Sequence, residues 1–175
     1  MTIMKSIYKF TSKHLQYRTI QEEDSEILVS WRSDLSLIRY YRNSSPITME
    51  MHQSWFQNTY NSDNARWDFM AFDGLVPVGF VALLHMDFDK KIAEINYTIG
   101  NKDYTGRSLS VEMIQSLCDF GKSVFGIQEF IAEIHRDNVV SQKSAVSSGF
   151  ILEDTKGNFW KYRRRMDGFI HNCND

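Results

Sequence analysis

Apolar residues along this chain recur with a period of two in some stretches and about 3.6 in others, and the places where one gives way to the other mark its elements. After Lys91, Ala93, Ile95, Tyr97 and Ile99 alternate with Glu94, Asn96 and Thr98, which predicts a half-buried strand. Val111, Ile114, Leu117 or Cys118, and Phe125 then fall at helical spacing, so the strand runs into a helix through the turn DYTGRS, Asp103 to Ser108. Upstream, Leu15 to Ile20 predicts a first strand, and EEDSEILVSWRSD a helix with an acidic first turn that carries Ile27, Leu28 and Trp31 on one face. A second helix begins near Thr48, after Pro46, and turns Met51, Trp55 and Phe56 inward. RWDFMAF and PVGFVALL flank an Asp73-Gly74 turn, a hairpin signal, and with the strand after MDFDKK they predict a three-stranded antiparallel meander. Downstream, IQEFIAEIH predicts a strand, and NVVSQKSAVSSGF a helix ended by Gly149. FILED and FWKYRRRM predict a last hairpin around Lys156-Gly157-Asn158. The order β-α-α-β-β-β-α-β-α-β-β has no internal repeat and no linker, so it predicts a single domain over residues 1–175 of class α/β (α+β), built on one mixed sheet.

Composition narrows the class. A chain of 175 residues with 42% hydrophobic content has the size for one independent core. Its 20 basic and 22 acidic residues leave a net charge of -2, which argues against nucleic acid or an anionic membrane as the principal partner. Cys118 and Cys173 form neither a disulfide framework nor a metal-ligand spacing, so no metal is expected and a reducing, cytoplasmic setting is. The first residues lack a leader pattern, and no later run approaches about 18 apolar residues.

Chemistry concentrates at the strand-to-helix turn. A helix N-terminus presents unpaired N–H groups and a partial positive charge, which together hold a pyrophosphate when no side chain blocks the backbone. Gly106 permits that approach, Ser108 and Ser110 are small and carry hydroxyl donors, and Arg107 adds a charge. Gly and Ser also make ordinary turns and caps, so the turn alone does not define a function.

The meander before the turn, with the strand and helix after it, resembles the GNAT superfamily of acyl-CoA-dependent N-acetyltransferases over nearly the whole chain. The resemblance implies a GNAT-like fold, a single twisted, mostly antiparallel sheet of about seven strands flanked by about four helices. In that family a Gln/Arg-x-x-Gly-x-Gly/Ala turn binds the coenzyme A pyrophosphate through main-chain amides, and DYTGRS occupies its place, with Asp103 for the Gln or Arg and Ser108 for the second glycine. NVVSQKSAVSSGF is similar to the helix beside the pantetheine arm in the ribosomal-protein-acetylating branch, with Asn138, Ser141, Gly149 and Phe150 in register. SWRSDLSLIRYYRNSSPITMEMHQSWF resembles the WRN…PI…H..WF opening of bacterial enzymes that acetylate a UDP-linked amino sugar, as in pseudaminic acid synthesis, with Ser33 in place of the Asn. These resemblances imply acetyl-CoA as co-substrate. They imply cofactor contacts at Thr98 and Ile99, at Thr105, Gly106, Arg107, Ser108, Leu109 and Ser110, and at Asn138 and Ser141. The partner they imply is a small-molecule amine, a nucleotide-linked amino sugar first, and a homodimer is plausible for such a fold.

Direct transfer needs a proton acceptor for the amine and oriented reactants, with no covalent intermediate, so neither cysteine is required as a nucleophile. Glu94, on the polar face of the strand before the turn, is the candidate base, and His85 and His135 at strand ends are the others. The family tyrosine that protonates the departing thiolate falls at Ala145, which leaves Ser141, Tyr162 or water for that role. Arg32 and Tyr40 near the acceptor-side loop, and Trp160 and Tyr162 in the basic strand FWKYRRRM, are the candidate substrate contacts; Arg163 and its neighbours are placed to grip a diphosphate. Two alternatives stay open: an N-acetyltransferase acting on a protein N-terminal amine, a polyamine or an aminoglycoside, and a non-catalytic acyl-CoA-binding module.

Overall fold

The structure, a computed structural model, describes residues 5–166. The chain forms β1 (Lys9–Thr11), β2 (Gln16–Thr19), α1 (Ser25–Ser33), α2 (Leu35–Ile38), α3 (Met49–Asn58), β3 (Trp67–Asp73), β4 (Val76–Asp87) and β5 (Ile92–Ile99). After these come α4 (Leu109–Phe125), β6 (Glu129–His135), α5 (Val139–Ser147), β7 (Ile151–Asp154) and β8 (Phe159–Arg165). One sheet holds eight strands in the order β1-β2-β3-β4-β5-β6-β8-β7. All neighbours are antiparallel except β5 and β6. The strand beyond the seven predicted is β1, three residues too short to show a period. The helix beyond the four predicted is α2, a single turn started by Asp34, whose carboxylate accepts from the Ser36 N–H.

Two layers of helix cover the sheet. Alternation along β4 and β5 sends Phe80 and Thr98, Ala82 and Asn96, and Leu84 and Glu94 to the face shared with α1 to α3, and Val81, Leu83, Ala93 and Ile95 to the face under α4. The α4 side buries the larger core, with Met113, Ile114, Leu117 and Cys118 packed on Phe69, Leu83, Phe130 and Ile134. At Gly121 the helix comes so close that an added Cβ would lie 3.0 Å from the Phe130 ring and 3.3 Å from Leu83. Opposite, Leu28, Trp31, Phe56 and Tyr60 pack on Met70 and Phe80.

Helix α3 departs from its predicted phase. Thr48 caps it by accepting from the Met51 N–H. That start turns His52 and Phe56, one helical turn apart, into the protein and leaves Met51 54% exposed, so the predicted inward role of Met51 is not observed. Val111 in α4 is likewise only partly buried, and Met113 is buried. Among the described residues no helix is long and apolar enough to cross a membrane.

Candidate active site

The turn between β5 and α4 leaves a helix end open. Asn101 accepts from the Asp103 N–H, and the Thr105 hydroxyl donates to the Lys102 carbonyl at 2.7 Å, which shapes the approach. Gly106 and Ser108 then take left-handed φ values of 74° and 58°. Among the described residues no side chain caps α4, so its first-turn N–H groups are left without a side-chain partner, and an added Cβ at Gly106 would meet no described atom within 4 Å. Thr105, Gly106, Arg107 and Ser108 are exposed around this opening, with the Arg107 guanidinium over the Tyr104 ring. Leu109 is buried in the core, and the Ser110 hydroxyl is joined to that of Ser144 at 2.8 Å, tying α4 to α5. Asp103 is exposed and directs its side chain to no described partner, whereas Lys102 pairs with Asp34 at 2.8 Å, and that bond holds the Asp34 carboxyl down at about 2.

Ser108 stands where the family pattern has glycine, and its backbone takes the conformation that glycine adopts without strain. A side chain there costs about 1–2 kcal/mol. Ser108→Gly is therefore expected to raise the melting temperature by roughly 2–8 °C, read by thermal denaturation.

Beyond the turn the sheet parts. The parallel pairing of β5 with β6 covers only Ile92, Ala93 and Glu94 opposite Glu129, Phe130 and Ile131. Past Glu94 the strands diverge, which leaves the edge of β5 from Ile95 to Ile99 without a neighbour on that side and opens a cleft of about 330 Å³. Thr98 and Ile99 lie on this open stretch; the Thr98 hydroxyl is held by the hydroxyl of Tyr41. Asn138 starts α5 across the cleft by accepting from the Ser141 N–H, and the Ser141 hydroxyl donates to the Tyr97 hydroxyl at 2.7 Å, which in turn donates to the Ser141 carbonyl at 3.0 Å. Burial pushes the Tyr97 phenol up to about 12, against the opposing hydrogen bond from Ser141, so it stays protonated. Ala145, one turn beyond Ser141, is fully buried and offers no hydroxyl.

Two of the candidate bases meet in this cleft. The Glu94 carboxylate lies 2.9 Å from Nδ1 of His85, the imidazole 81% exposed and the carboxylate 24%. A bulge in β4 between Leu84 and Asp87 makes the meeting possible, because it sets His85 at a left-handed φ of 49° and turns its ring toward β5. His135 also borders the cleft, between the rings of Tyr40 and Phe159.

The other predicted contacts divide by strand parity. Arg32 and Tyr40 line the cleft. Trp160 and Tyr162 do not: β8 turns Phe159, Lys161 and Arg163 to the cleft side and these two aromatics to the α4 side, where Tyr162 is 3% exposed within the core. Of the basic residues of β8, Arg163 pairs with Glu129 at 2.5 Å and with Glu153 at 2.9 Å, Arg165 with Glu129 at 3.3 Å and Lys161 with Glu153 at 3.5 Å, whereas Arg164, of the same parity as Tyr162, has a buried Nη1 with no partner among the described residues. Cys118 is buried on α4, with its thiol pushed up to about 12 by burial, while Cys173 lies outside the described residues. Tyr97 escaped the sequence reading because alternation marks it as core-facing, and only the parting of β5 and β6 makes a cleft residue of it. A second cavity adjoins through Arg32: Arg32, Ile47, His52 and Trp55, all within the SWRSD to HQSWF segment, line it together.

An open helix N-terminus beside diverging strands, with a carboxylate–histidine pair on the open face, is the geometry of an enzyme that joins a phosphate-bearing carrier to a second small molecule. The chain belongs to the acetyltransferase (GNAT) domain family, which matches residues 14–151, and it is an acetyl-CoA-dependent acyltransferase. It is similar to the uncharacterized N-acetyltransferase p20 of Bacillus licheniformis, at 23% identity over 168 residues that span 93% of this chain and 92% of that protein. Spermidine N-acetyltransferase from Vibrio cholerae, in complex with CoA and spermine, superposes with a TM-score of 0.77 at 16% identity, over 86% of this chain and 93% of that one. AAC(6')-Ib in complex with ribostamycin and coenzyme A gives a TM-score of 0.80 at 13% identity, over 93% and 99%. At these identities the structural likeness is one of fold. Among the described residues, no three His, Cys, Asp or Glu side chains are grouped to hold a metal ion.

Proposed function

We propose that the protein catalyses direct transfer of an acetyl group from acetyl-CoA to a primary amine, and that the amine belongs to a nucleotide-linked amino sugar. The observation that carries the reading is the uncapped start of α4 in the chain just past β5, the strand that β6 leaves unpaired beyond Glu94. Acetyl-CoA bound there supplies an activated thioester carbonyl. The N–H groups of α4, with Thr105, Arg107 and Ser108 beside them, hold its pyrophosphate. The unpaired edge of β5 offers main-chain donors and acceptors to an amide-bearing arm, as it would to an added strand, and Asn138 and Ser141 bound the far side.

Glu94 accepts the amine's proton, and His85, bonded to it and open to solvent, passes that proton to water. The protonated Tyr97 hydroxyl, which accepts from the Ser141 hydroxyl, turns its one O–H from the Ser141 carbonyl to the departing sulfur, the role for which the chain has no tyrosine at Ala145. With Arg163 and Arg165 matched by glutamates and Arg164 turned to the α4 side, recognition of a diphosphate falls to Arg32 and to the exposed Arg39 beside Tyr40. The resemblance of the SWRSD to HQSWF segment to amino-sugar acetyltransferases supports this acceptor. A polyamine or aminoglycoside acceptor is the second reading, favoured by Glu94 and Glu133 in the cleft and by the ligands of the superposed structures.

Calorimetric titration with acetyl-CoA, followed by thiol release against a UDP-linked amino sugar, spermidine, an aminoglycoside and a short peptide, tests the proposal. Binding with release only for the nucleotide sugar is the expected result. Release for spermidine or the aminoglycoside alone replaces the acceptor, and binding without release for any amine supports a non-catalytic module instead.

A further inference from the structure

Between α1, α3 and the adjoining face of β3 and β4 lies a cavity of about 240 Å³ that the transfer steps do not use. Its walls are largely apolar, from Ile20, Leu28, Ile47, Trp55 and Phe80. Four polar side chains reach it, and they are not equally satisfied. Arg66 and Asp68 close a two-point ion pair at 2.7 and 2.8 Å, with the guanidinium over Trp55. His52 is only 5% exposed, yet among the described residues neither its Nε2 nor the Nε of Arg32 has a hydrogen-bond partner.

Buried polar atoms are nearly always paired, so two orphans on the wall of one apolar cavity point to a ligand that pairs them. Charge limits what that ligand is. Arg32 and Arg66 against Asp68 leave the lining one positive charge in excess. Burial first, and the nearby Arg32 second, lower the pKa of His52 and hold its imidazole neutral, so it adds no charge while keeping a ring nitrogen for hydrogen bonding. Location completes the argument: Arg32 lines both this cavity and the β5–β6 cleft, so the two are neighbours across that one side chain.

We infer that the cavity holds the non-reacting end of the acceptor, and that this end is an apolar body carrying carbonyl or carboxylate oxygens, which accept from Arg32 Nε and His52 Nε2. The inference rests on the transferase reading of the cleft. It selects against polycationic acceptors, because a second ammonium in a positively charged apolar cavity finds neither water nor a free carboxylate. The acyl and lactam oxygens of a nucleotide-linked amino sugar meet the requirement, and a polyamine does not.

Thiol release from acetyl-CoA with para-aminomethylbenzoate, spermidine and kanamycin tests this in the parent protein, His52→Phe and Met51→Trp. His52→Phe keeps the ring and removes the nitrogen. Met51 is exposed at the cavity mouth, so Met51→Trp narrows the entrance without entering the core. The parent is expected to release thiol with para-aminomethylbenzoate and not with spermidine or kanamycin, and each variant to raise the KM for para-aminomethylbenzoate roughly tenfold at unchanged acetyl-CoA affinity. Preference for spermidine or kanamycin, or variants that both match the parent, overturns the inference and leaves the transferase reading intact. Release with none of the three amines overturns the inference as well, and failure to bind acetyl-CoA overturns the transferase reading with it.

Discussion

Gly106→Glu abolishes acetyl-CoA binding in a protein that still folds. The left-handed φ of 74° at this position makes any side chain cost about 1–2 kcal/mol, a tolerable loss against a typical stability of about 5–15 kcal/mol. Among the described residues no atom stands within 4 Å of the new Cβ, so at that atom the substitution brings strain and no collision. Its carboxylate lies beside the unpaired N–H groups of α4 and competes for them with the pyrophosphate, which it also repels. Gly106→Ala separates the two effects, since it carries the strain alone and is expected to bind acetyl-CoA within about tenfold of the parent, a difference of roughly 1.4 kcal/mol. Calorimetry with a parallel thermal melt reads both variants. Unchanged affinity in Gly106→Glu would mean that the turn is not the phosphate site.

Glu94→Gln should be the most damaging change on the chemical side. Glutamine keeps the size of the side chain and a partner for His85, but it cannot accept a proton. Loss of a positioned base lowers turnover by about 10²-fold or more, roughly 2.7 kcal/mol in barrier height, while acetyl-CoA affinity stays where it was because the carboxylate lies across the strand from the turn. His85→Ala is the companion: if His85 relays the proton, added imidazole restores part of the lost rate. A Glu94→Gln variant that works as fast as the parent removes Glu94 from the mechanism.

How far the sequence revealed this site depended on whether a signal was local. DYTGRS was legible as a strand-to-helix turn because a change of hydrophobic period and a glycine both act within a few residues, and Ser108 departs from the glycine pattern while keeping glycine's backbone conformation. The strand order of the meander was legible for the same reason. His85 appeared only as a histidine at a strand end, since a bulge that re-aims one side chain leaves no periodic trace. Tyr97 was hidden more deeply: its parity is that of a core residue, and its place in the cleft depends on where a strand some thirty residues away stops pairing. Trp160 and Tyr162 show the converse, aromatic residues in a basic strand whose parity, set by pairing with β6, sends them into the core.

With three residue pairs joining β5 to β6, the sheet amounts to two leaves that share a short spine at its closed end, where the Gln128 and Glu129 N–H groups both donate to the Lys91 carbonyl. Cohesion across the opening then rests on what spans it. On the α4 face it is the Tyr97–Ser141 contact together with α4 itself, which lies against Leu83 of one leaf and Phe130 of the other at Gly121. In the proposed mode of cofactor binding, the helix whose N-terminus takes the pyrophosphate is thus also the strut that sets the width of the opening, and a change of bulk at Gly121 would reach the cofactor through the spacing of the leaves rather than through any contact with it.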